Sequence, residues 1–184
     1  MHFAIARIGL TISWFAWAYP FIFRAPHFQK RESITVTGPT RLGMLLEAMG
    51  VLLAFVQTPP ARTHPVVLLG ATVFSVIGIA LSWAAVAHLG KQFRIHAGLY
   101  VDHELVRTGP YRIVRHPIYA SVLAMLLATI VLLTPWPRAF LALAVFIIGT
   151  EIRVRSEDRL LASRFGGQFA DYRKRVPAYI PFIR

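Results

Sequence analysis

The sequence predicts an all-α integral membrane protein with about five transmembrane helices. Of its 184 residues, 56% are hydrophobic and only 15% are charged, which is outside the usual range of soluble domains. Lysine and arginine lie between and after the apolar blocks, as in cytoplasmic loops. The net charge of +12 therefore indicates contact with membrane lipids and not with nucleic acid. The absence of cysteine excludes disulfides, thiolate metal sites and cysteine nucleophiles.

Five apolar blocks approach the roughly 20 residues that a transmembrane helix needs. They run from about Phe3 to Phe23, Leu42 to Gln57, Val66 to Leu89, Pro117 to Leu133 and Arg138 to Ile152. The first block is interpreted as a retained span, because it is long, aromatic-rich and without a clear small-residue cleavage site. Only the four residues TPWP join the last two blocks, which predicts a tight antiparallel hairpin. We expect residues 1–184 to form a single multi-pass membrane domain.

The distribution of basic residues predicts how the chain is oriented. Segments 24–41, 91–115 and 153–184 hold 17 of the 20 Lys and Arg residues. With five spans, these segments fall on one side of the membrane, which the positive-inside rule assigns to the cytoplasm. The amino terminus is then outside, and the loop 90–115 and the C-terminal tail are cytoplasmic. A four-span count would scatter the basic segments onto both sides.

The tail predicts an amphipathic C-terminal helix. Leu161, Phe165, Phe169 and Tyr172 recur at helical spacing, while most basic residues lie elsewhere. This helix should lie on the membrane surface or across a functional site. The proline-containing segment 176–181, VPAYIP, should end it.

The polar motif of the chain is GPYRIVRHPIY, residues 109–119. Pro117 suits the first turn of a helix, where its fixed φ is favourable and its missing N–H has no partner to lose. The free N–H groups of that turn, beside Arg115 and His116, predict a site for an anion. The preceding loop, 90–115, is long and polar, which is typical of functional loops.

A second polar group follows the fifth block. Arg153 and Glu157 are four residues apart and share a helix face. The hairpin should bring them to His116, where an arginine could hold an anion and a carboxylate could hold an ammonium group. The alternative interpretations are a helix cap for His116 and a solvated ion pair for Arg153 and Glu157.

Several other residues have more than one interpretation. Tyr111 and Tyr119 could belong to an interfacial aromatic belt. Glu47, inside the second block, is interpreted as a helix-packing or oligomer contact. The sequence does not decide whether Glu47, His88 and Glu151 line a cavity, nor does it give the oligomeric state. No spacing of His, Asp or Glu indicates a metal site.

Taken together, these motifs resemble the isoprenylcysteine carboxyl methyltransferase family and, in the same segments, the membrane phospholipid N-methyltransferases. The similarity rests on GPYRIVRHPIY, on HELV (103–106) before it, and on RVRSEDRLL (153–161), FGGQFADY (165–172) and VPAYIP after it. Residues 76–184 would form the methyltransferase core. Residues 1–75 match only as hydrophobic spans.

The resemblance implies a methyltransferase that uses S-adenosylmethionine without a Rossmann domain, and no G-x-G-x-x-G motif is present. It implies that Arg153 and Glu157 are the catalytic pair, with Arg153 binding the methyl acceptor and Glu157 the ammonium group of the cofactor. The acceptor would be lipid-attached, such as the carboxylate of an isoprenylated cysteine. The residues implied to bind the cofactor are His96, His103, Glu104, Leu105, Val106, Tyr111, His116, Pro117, Ile118, Tyr119 and Glu157.

Three other functions are compatible with the sequence. The first keeps the chemistry and methylates a phospholipid amine, for which Glu157 or Asp158 would remove a proton. The second is a sterol reductase, which is similar near the C-terminus but would need a nicotinamide site and a longer chain. The third is a membrane scaffold without activity, which should not bind S-adenosylmethionine.

Overall fold

Helices make up most of the structure. The computed structural model describes residues 2–23, 33–35, 38–56, 62–93, 98–100 and 104–181. The α-helices of this part are α1 (His2–Phe23), α2 (Gly38–Phe55), α3 (Pro65–Leu89), α4 (Pro117–Leu133), α5 (Trp136–Phe165) and α6 (Gly167–Arg175). Two short strands, β1 (Ser33–Thr35) and β2 (Gly98–Tyr100), and two 3-10 turns, Gly90–Gln92 and Gly109–Arg112, complete it.

The predicted helix positions agree closely with the structure. Helices α1, α3 and α4 coincide with predicted blocks to within one residue, α2 begins four residues earlier than predicted, and α5 continues well past the fifth block. Among the described residues, α1, α2 and α3 are long and apolar enough to cross a membrane. Helix α4 is apolar but has only 17 residues. The protein is thus an integral membrane protein with three candidate membrane-crossing helices, and the count of five stays a prediction.

Helix α2 lies against α5 because glycines let the two backbones approach closely. A Cβ atom added at Gly149 would lie 2.7 Å from the carbonyl oxygen of Gly43, and one added at Gly50 would lie 2.8 Å from the carbonyl oxygen of Ala142. Helix α3 packs on α4 in a similar way, with Gly78 facing Met125. These pairings fix α2 and α5 on one side of the molecule and α3 and α4 beside them.

Side-chain hydrogen bonds join the helices into one bundle. The Thr134 hydroxyl donates to the carbonyl oxygen of Ala54 at 2.9 Å, and Arg62 donates to the carbonyl oxygen of Thr134 at 3.0 Å. Helix α1 is attached through the indole N–H of Trp14, which donates to Thr129 at 3.1 Å, and that of Trp17, which donates to Ser121 at 2.9 Å. Both indoles thus fix α1 against α4.

The described parts of the three basic segments meet at one end of this bundle. Strands β1 and β2 pair antiparallel, with Ser33 opposite Tyr100. The backbone N–H groups of Arg115 and His116 donate to the carbonyl oxygens of Pro177 and Ala178, each at 2.8 Å. Segments that the charge distribution predicts to share one side of the membrane therefore have neighbouring described residues.

The tail differs from the single helix that its pattern predicted. Helix α5 runs on to Phe165 and ends at Gly166, whose φ of 50° is readily adopted only by glycine. A separate helix, α6, begins at Gly167. It buries Phe169 and Tyr172, and it ends at Arg175, before the proline-containing segment, as predicted.

Candidate active site

A cavity of about 720 Å³ opens at the end of the bundle where the basic segments meet. Its walls come from α1, α2, the end of α3, the start of α4 and the middle of α5. One part of its lining is apolar and aromatic: Trp14, Trp17, Ala18, Phe21, Ile22, Met44, Ala48, Val51 and Leu52. The other part is charged, with Glu47, Arg115, His116, Arg153 and Glu157. A molecule that carries both an apolar chain and charged groups therefore matches this lining.

The charged part depends on the start of α4 and on one face of α5. Pro117 begins α4 and His116 is its N-cap residue. The hydroxyl of Tyr119, in the first turn of α4, donates a hydrogen bond to Glu157. Arg153 lies one turn before Glu157, with its guanidinium carbon 4.9 Å from the centre of the Tyr119 ring. The predicted meeting of Arg153 and Glu157 with the motif around His116 is thus present in the structure.

Asp158 anchors the two basic residues before Pro117. One carboxylate oxygen accepts a hydrogen bond from Nη2 of Arg115 at 3.0 Å, and the other accepts one from Nε2 of His116 at 2.9 Å. Nδ1 of His116 lies 3.4 Å from Glu157, so the imidazole bridges two carboxylates. All three members of the Arg115–Asp158–His116 group are about 5 to 6% exposed. Because a carboxylate only accepts hydrogen bonds, this arrangement favours a histidine with both nitrogens protonated.

These contacts shift the pKa values of the bridging groups. Burial by itself would lower the pKa of His116, but the hydrogen bonds to Asp158 and Glu157 outweigh it and raise this pKa above its usual value. Burial would raise the pKa values of Glu157 and Asp158, but the contacts with His116 outweigh it and lower both. The group is therefore most stable as an imidazolium between two carboxylates.

Replacing Asp158 by asparagine should lower the stability of the protein at neutral pH and change how its stability depends on pH. The contribution of His116 is present below its unfolded pKa of about 6.5 and is lost as the pH rises through its raised folded pKa. In Asp158→Asn the folded pKa of His116 is raised less, so this contribution should be smaller and should be gone by a lower pH, and unfolding at pH 7 should cost about 2 kcal/mol less. Melting temperatures measured from pH 5 to pH 9 test this.

The control for this prediction is Asp171→Asn on α6, because the Asp171 side chain is 67% exposed.

The acid end of the pH range gives a second comparison. Wild type should lose stability as the pH falls through the lowered pKa of Asp158, and the Asp158→Asn variant lacks this component. Identical pH profiles for Asp158→Asn and wild type would contradict the bridging role.

Glu47 is the member of the site whose partner could not be identified from the sequence. It is 8% exposed within α2, and its carboxylate lies 2.7 Å from Nη1 of Arg153 and 3.1 Å from the hydroxyl of Thr150. The signal in the sequence was an acidic residue in an apolar block, which is costly without a partner. The close approach of Gly43 to Gly149 is what brings Glu47 to Arg153.

Most of the other predicted residues also border the cavity. Leu105, Val106, Tyr111, Pro117 and Ile118 line it. Glu104 is exposed. The expectations for His96 and His103 lie outside the described residues. Of the three undecided residues, Glu47 lines the cavity, whereas Glu151 pairs with Arg155 at 3.3 Å and His88 packs against Gly109.

The fold and the site together define a helical membrane protein with an amphipathic cavity that ends in a buried charged cluster. A sequence model of the isoprenylcysteine carboxyl methyltransferase (ICMT) family matches residues 71–163. The chain belongs to this family, and it is a carboxyl methyltransferase, as its motifs predicted.

Similar proteins are known in plants, fungi and bacteria. The chain is 28% identical over 155 residues to protein-S-isoprenylcysteine O-methyltransferase B of Arabidopsis thaliana, covering 83% of this chain and 78% of the relative. It is 33% identical over 112 residues to protein-S-isoprenylcysteine O-methyltransferase of Schizosaccharomyces pombe, covering 60% and 48%. It is 37% identical over 93 residues to the cobalt-zinc-cadmium resistance protein CzcN of Cupriavidus metallidurans, covering 48% and 42%.

Proposed function

We propose that this protein transfers a methyl group from S-adenosylmethionine to the carboxylate of an isoprenylated cysteine or a close analogue. The observation that carries the proposal is the cavity itself, which joins an apolar wall to Arg153 and Glu157. An isoprenoid chain requires the first part and a carboxylate requires the second. Relatives from Arabidopsis thaliana and Schizosaccharomyces pombe are named for this reaction.

The residues of the charged part suit the methyl donor, which supplies an electrophilic methyl group on a sulfonium. The Glu157 carboxylate, whose pKa is lowered, stays ionised and can hold an ammonium group. Leu105, Val106 and Ile118 offer apolar contacts to this cofactor, and Tyr111 offers an aromatic ring. His103 and His96 remain proposed donor contacts on the basis of the family resemblance alone.

Arg153 is proposed to hold the methyl acceptor. A carboxylate is already ionised near neutral pH, so the reaction needs no general base. The task left to the protein is to aim one carboxylate oxygen and to exclude water. Arg153 can do this because Glu47 and the ring of Tyr119 hold its guanidinium in place.

We infer a five-span arrangement for the membrane, with α4 as the fourth span and residues 138–152 of α5 as the fifth. The amino terminus would be outside, and the loop 90–115 and the tail would be cytoplasmic. The pairing of β1 with β2 and the contact of Arg115 with Pro177 support this, since both need the basic segments on one side. Residues 76–184 would be the methyltransferase core of one membrane domain.

The proposal is tested with labelled S-adenosylmethionine and detergent-purified protein. A farnesylated cysteine analogue is one acceptor, and total lipid is the parallel acceptor. We expect label in the farnesylated compound, in a base-labile methyl ester. Label only in lipid amines would refute the carboxylate assignment and favour a phospholipid N-methyltransferase.

Replacing Glu157 by glutamine should weaken S-adenosylmethionine binding by about thirtyfold, because an ammonium group loses its charged partner. The loss should not occur for 5′-methylthioadenosine, which lacks the amino-acid part. Calorimetry on the purified variant measures both affinities.

The control for this variant is Glu151→Gln, because Glu151 lies on the same helix and contacts Arg155 and Tyr179. Equal S-adenosylmethionine affinities for wild type and Glu157→Gln would remove Glu157 from the donor site.

A further inference from the structure

Gln92 carries a buried amide that makes no hydrogen bond to any residue the structure describes. The residue is 4% exposed, and neither Nε2 nor Oε1 has a partner there. Its side chain borders the cavity. We propose that Gln92 binds the methyl donor, S-adenosylmethionine, and recognises the hydrogen-bonding edge of its adenine ring. This inference rests on the function proposed above.

An unpaired buried amide is unusual, because native proteins satisfy nearly all of their buried polar groups. Leaving both atoms of a carboxamide without partners destabilises the unliganded protein. A bound ligand that supplies both partners removes this penalty. Gln92 therefore has the properties of a group arranged for a ligand and not for the fold.

The chemistry of the amide limits what that ligand can be. A carboxamide presents one donor and one acceptor side by side in a plane. Adenine presents the complementary pair, its exocyclic amino group as donor and a neighbouring ring nitrogen as acceptor. A carboxylate would use only the donor of the amide, and an isoprenoid chain would use neither group.

The position of Gln92 is suitable for binding the adenine ring. It ends the 3-10 turn after α3, beside Phe93, whose ring centre lies 5.8 Å from that of Phe21. Close packing of Gly109 on His88 brings the turn 109–112 to the same end of α3. The side chains of Phe21, Leu89 and Phe93 line the same cavity as Gln92, and they offer the apolar and aromatic contacts that the two faces of adenine require.

The experiment is a double-mutant cycle between the side chain and the ligand. Affinities are measured for S-adenosylhomocysteine and for its analogue with hydrogen in place of the 6-amino group. In wild type, removal of the amino group should weaken binding about tenfold, and in Gln92→Leu by less than about twofold. Gln92→Leu should bind S-adenosylhomocysteine about tenfold more weakly than wild type.

Two further measurements separate binding from folding. The melting temperature of ligand-free Gln92→Leu should be no lower than that of wild type, since the amide has no partner to lose among the described residues. Gln168→Leu is the matched control, because Gln168 is exposed on α6 and bonds to Arg107. It should leave both affinities unchanged.

The inference is overturned if Gln92→Leu binds both ligands as wild type does, or if loss of the amino group costs wild type and variant equally. A variant that changes only the KM of the acceptor would also overturn it. The proposed function fails separately. If wild type shows the expected cycle but does not methylate farnesylated cysteine, the acceptor assignment alone is wrong.

Discussion

Replacing Arg153 by alanine is expected to abolish methyl transfer while S-adenosylmethionine binding stays within about threefold of wild type. Arg153 borders the cavity, and its guanidinium is oriented by Glu47 and Tyr119. Without it, an acceptor carboxylate would meet the Glu47 carboxylate, so the attraction becomes a repulsion. We expect kcat/KM to fall on the order of a thousandfold, comparable to the removal of an oriented hydrogen-bond donor from a transition state.

The control for this variant lies two residues further along α5. Arg155 is 61% exposed and pairs with Glu151, so Arg155→Ala should keep full activity. Because Arg153→Ala leaves Glu47 buried without a charged partner, the double variant Arg153→Ala, Glu47→Gln separates folding from function. It should recover stability and stay inactive. Activity above about a tenth of wild type in Arg153→Ala, or in the double variant with Glu47→Gln, would refute the role of Arg153.

The position of Arg153 depends on α2, which is distant from it in the sequence. The four-residue spacing of Arg153 and Glu157 predicted that they share a face, and they do, at 4.0 Å. The nearer partner of Arg153 is Glu47, at 2.7 Å and 106 residues away along the chain. Local periodicity contains no information about that contact. It depends on how two glycine-lined helices are paired, which only the tertiary structure gives.

The helix boundaries were predictable for a physical reason. Long apolar blocks have one stable arrangement in a bilayer, since every backbone N–H and C=O must be satisfied within the segment. Helix α4 begins at Pro117, which is the residue where the sequence predicted its start. The tail was less predictable, because Phe165 and Phe169 keep helical spacing across Gly166 and the pattern conceals the break. The feature of the sequence that could have indicated this break is the glycine pair at 166–167.

The site was predictable where a motif is contiguous. Leu105, Tyr111 and His116 come within one stretch, and all three border the cavity. Gln92 lies outside that stretch and belongs to no motif. The role proposed for it rests on burial and on the absence of a hydrogen-bond partner among the described residues, and a sequence expresses neither.

Replacing Gly149 by leucine is expected to have the largest effect on folding. A Cβ atom at this position would lie 2.7 Å from the carbonyl oxygen of Gly43 and 2.8 Å from the backbone nitrogen of Glu47. Since both are backbone atoms, no side-chain movement relieves the clash, and α2 must move away from α5. We expect a loss of about 3 kcal/mol of stability and a melting temperature lower by roughly 9 °C.

The same displacement should remove activity, because it separates Glu47 from Arg153. Gly9→Leu is the matched control, since Gly9 lies in the middle of α1 and a Cβ atom there meets nothing within 4 Å. That variant should keep wild-type stability and turnover. A Gly149→Leu protein with an unchanged melting temperature would mean that α2 and α5 can separate at no cost. The position of Arg153 would then not depend on the close approach of these two helices.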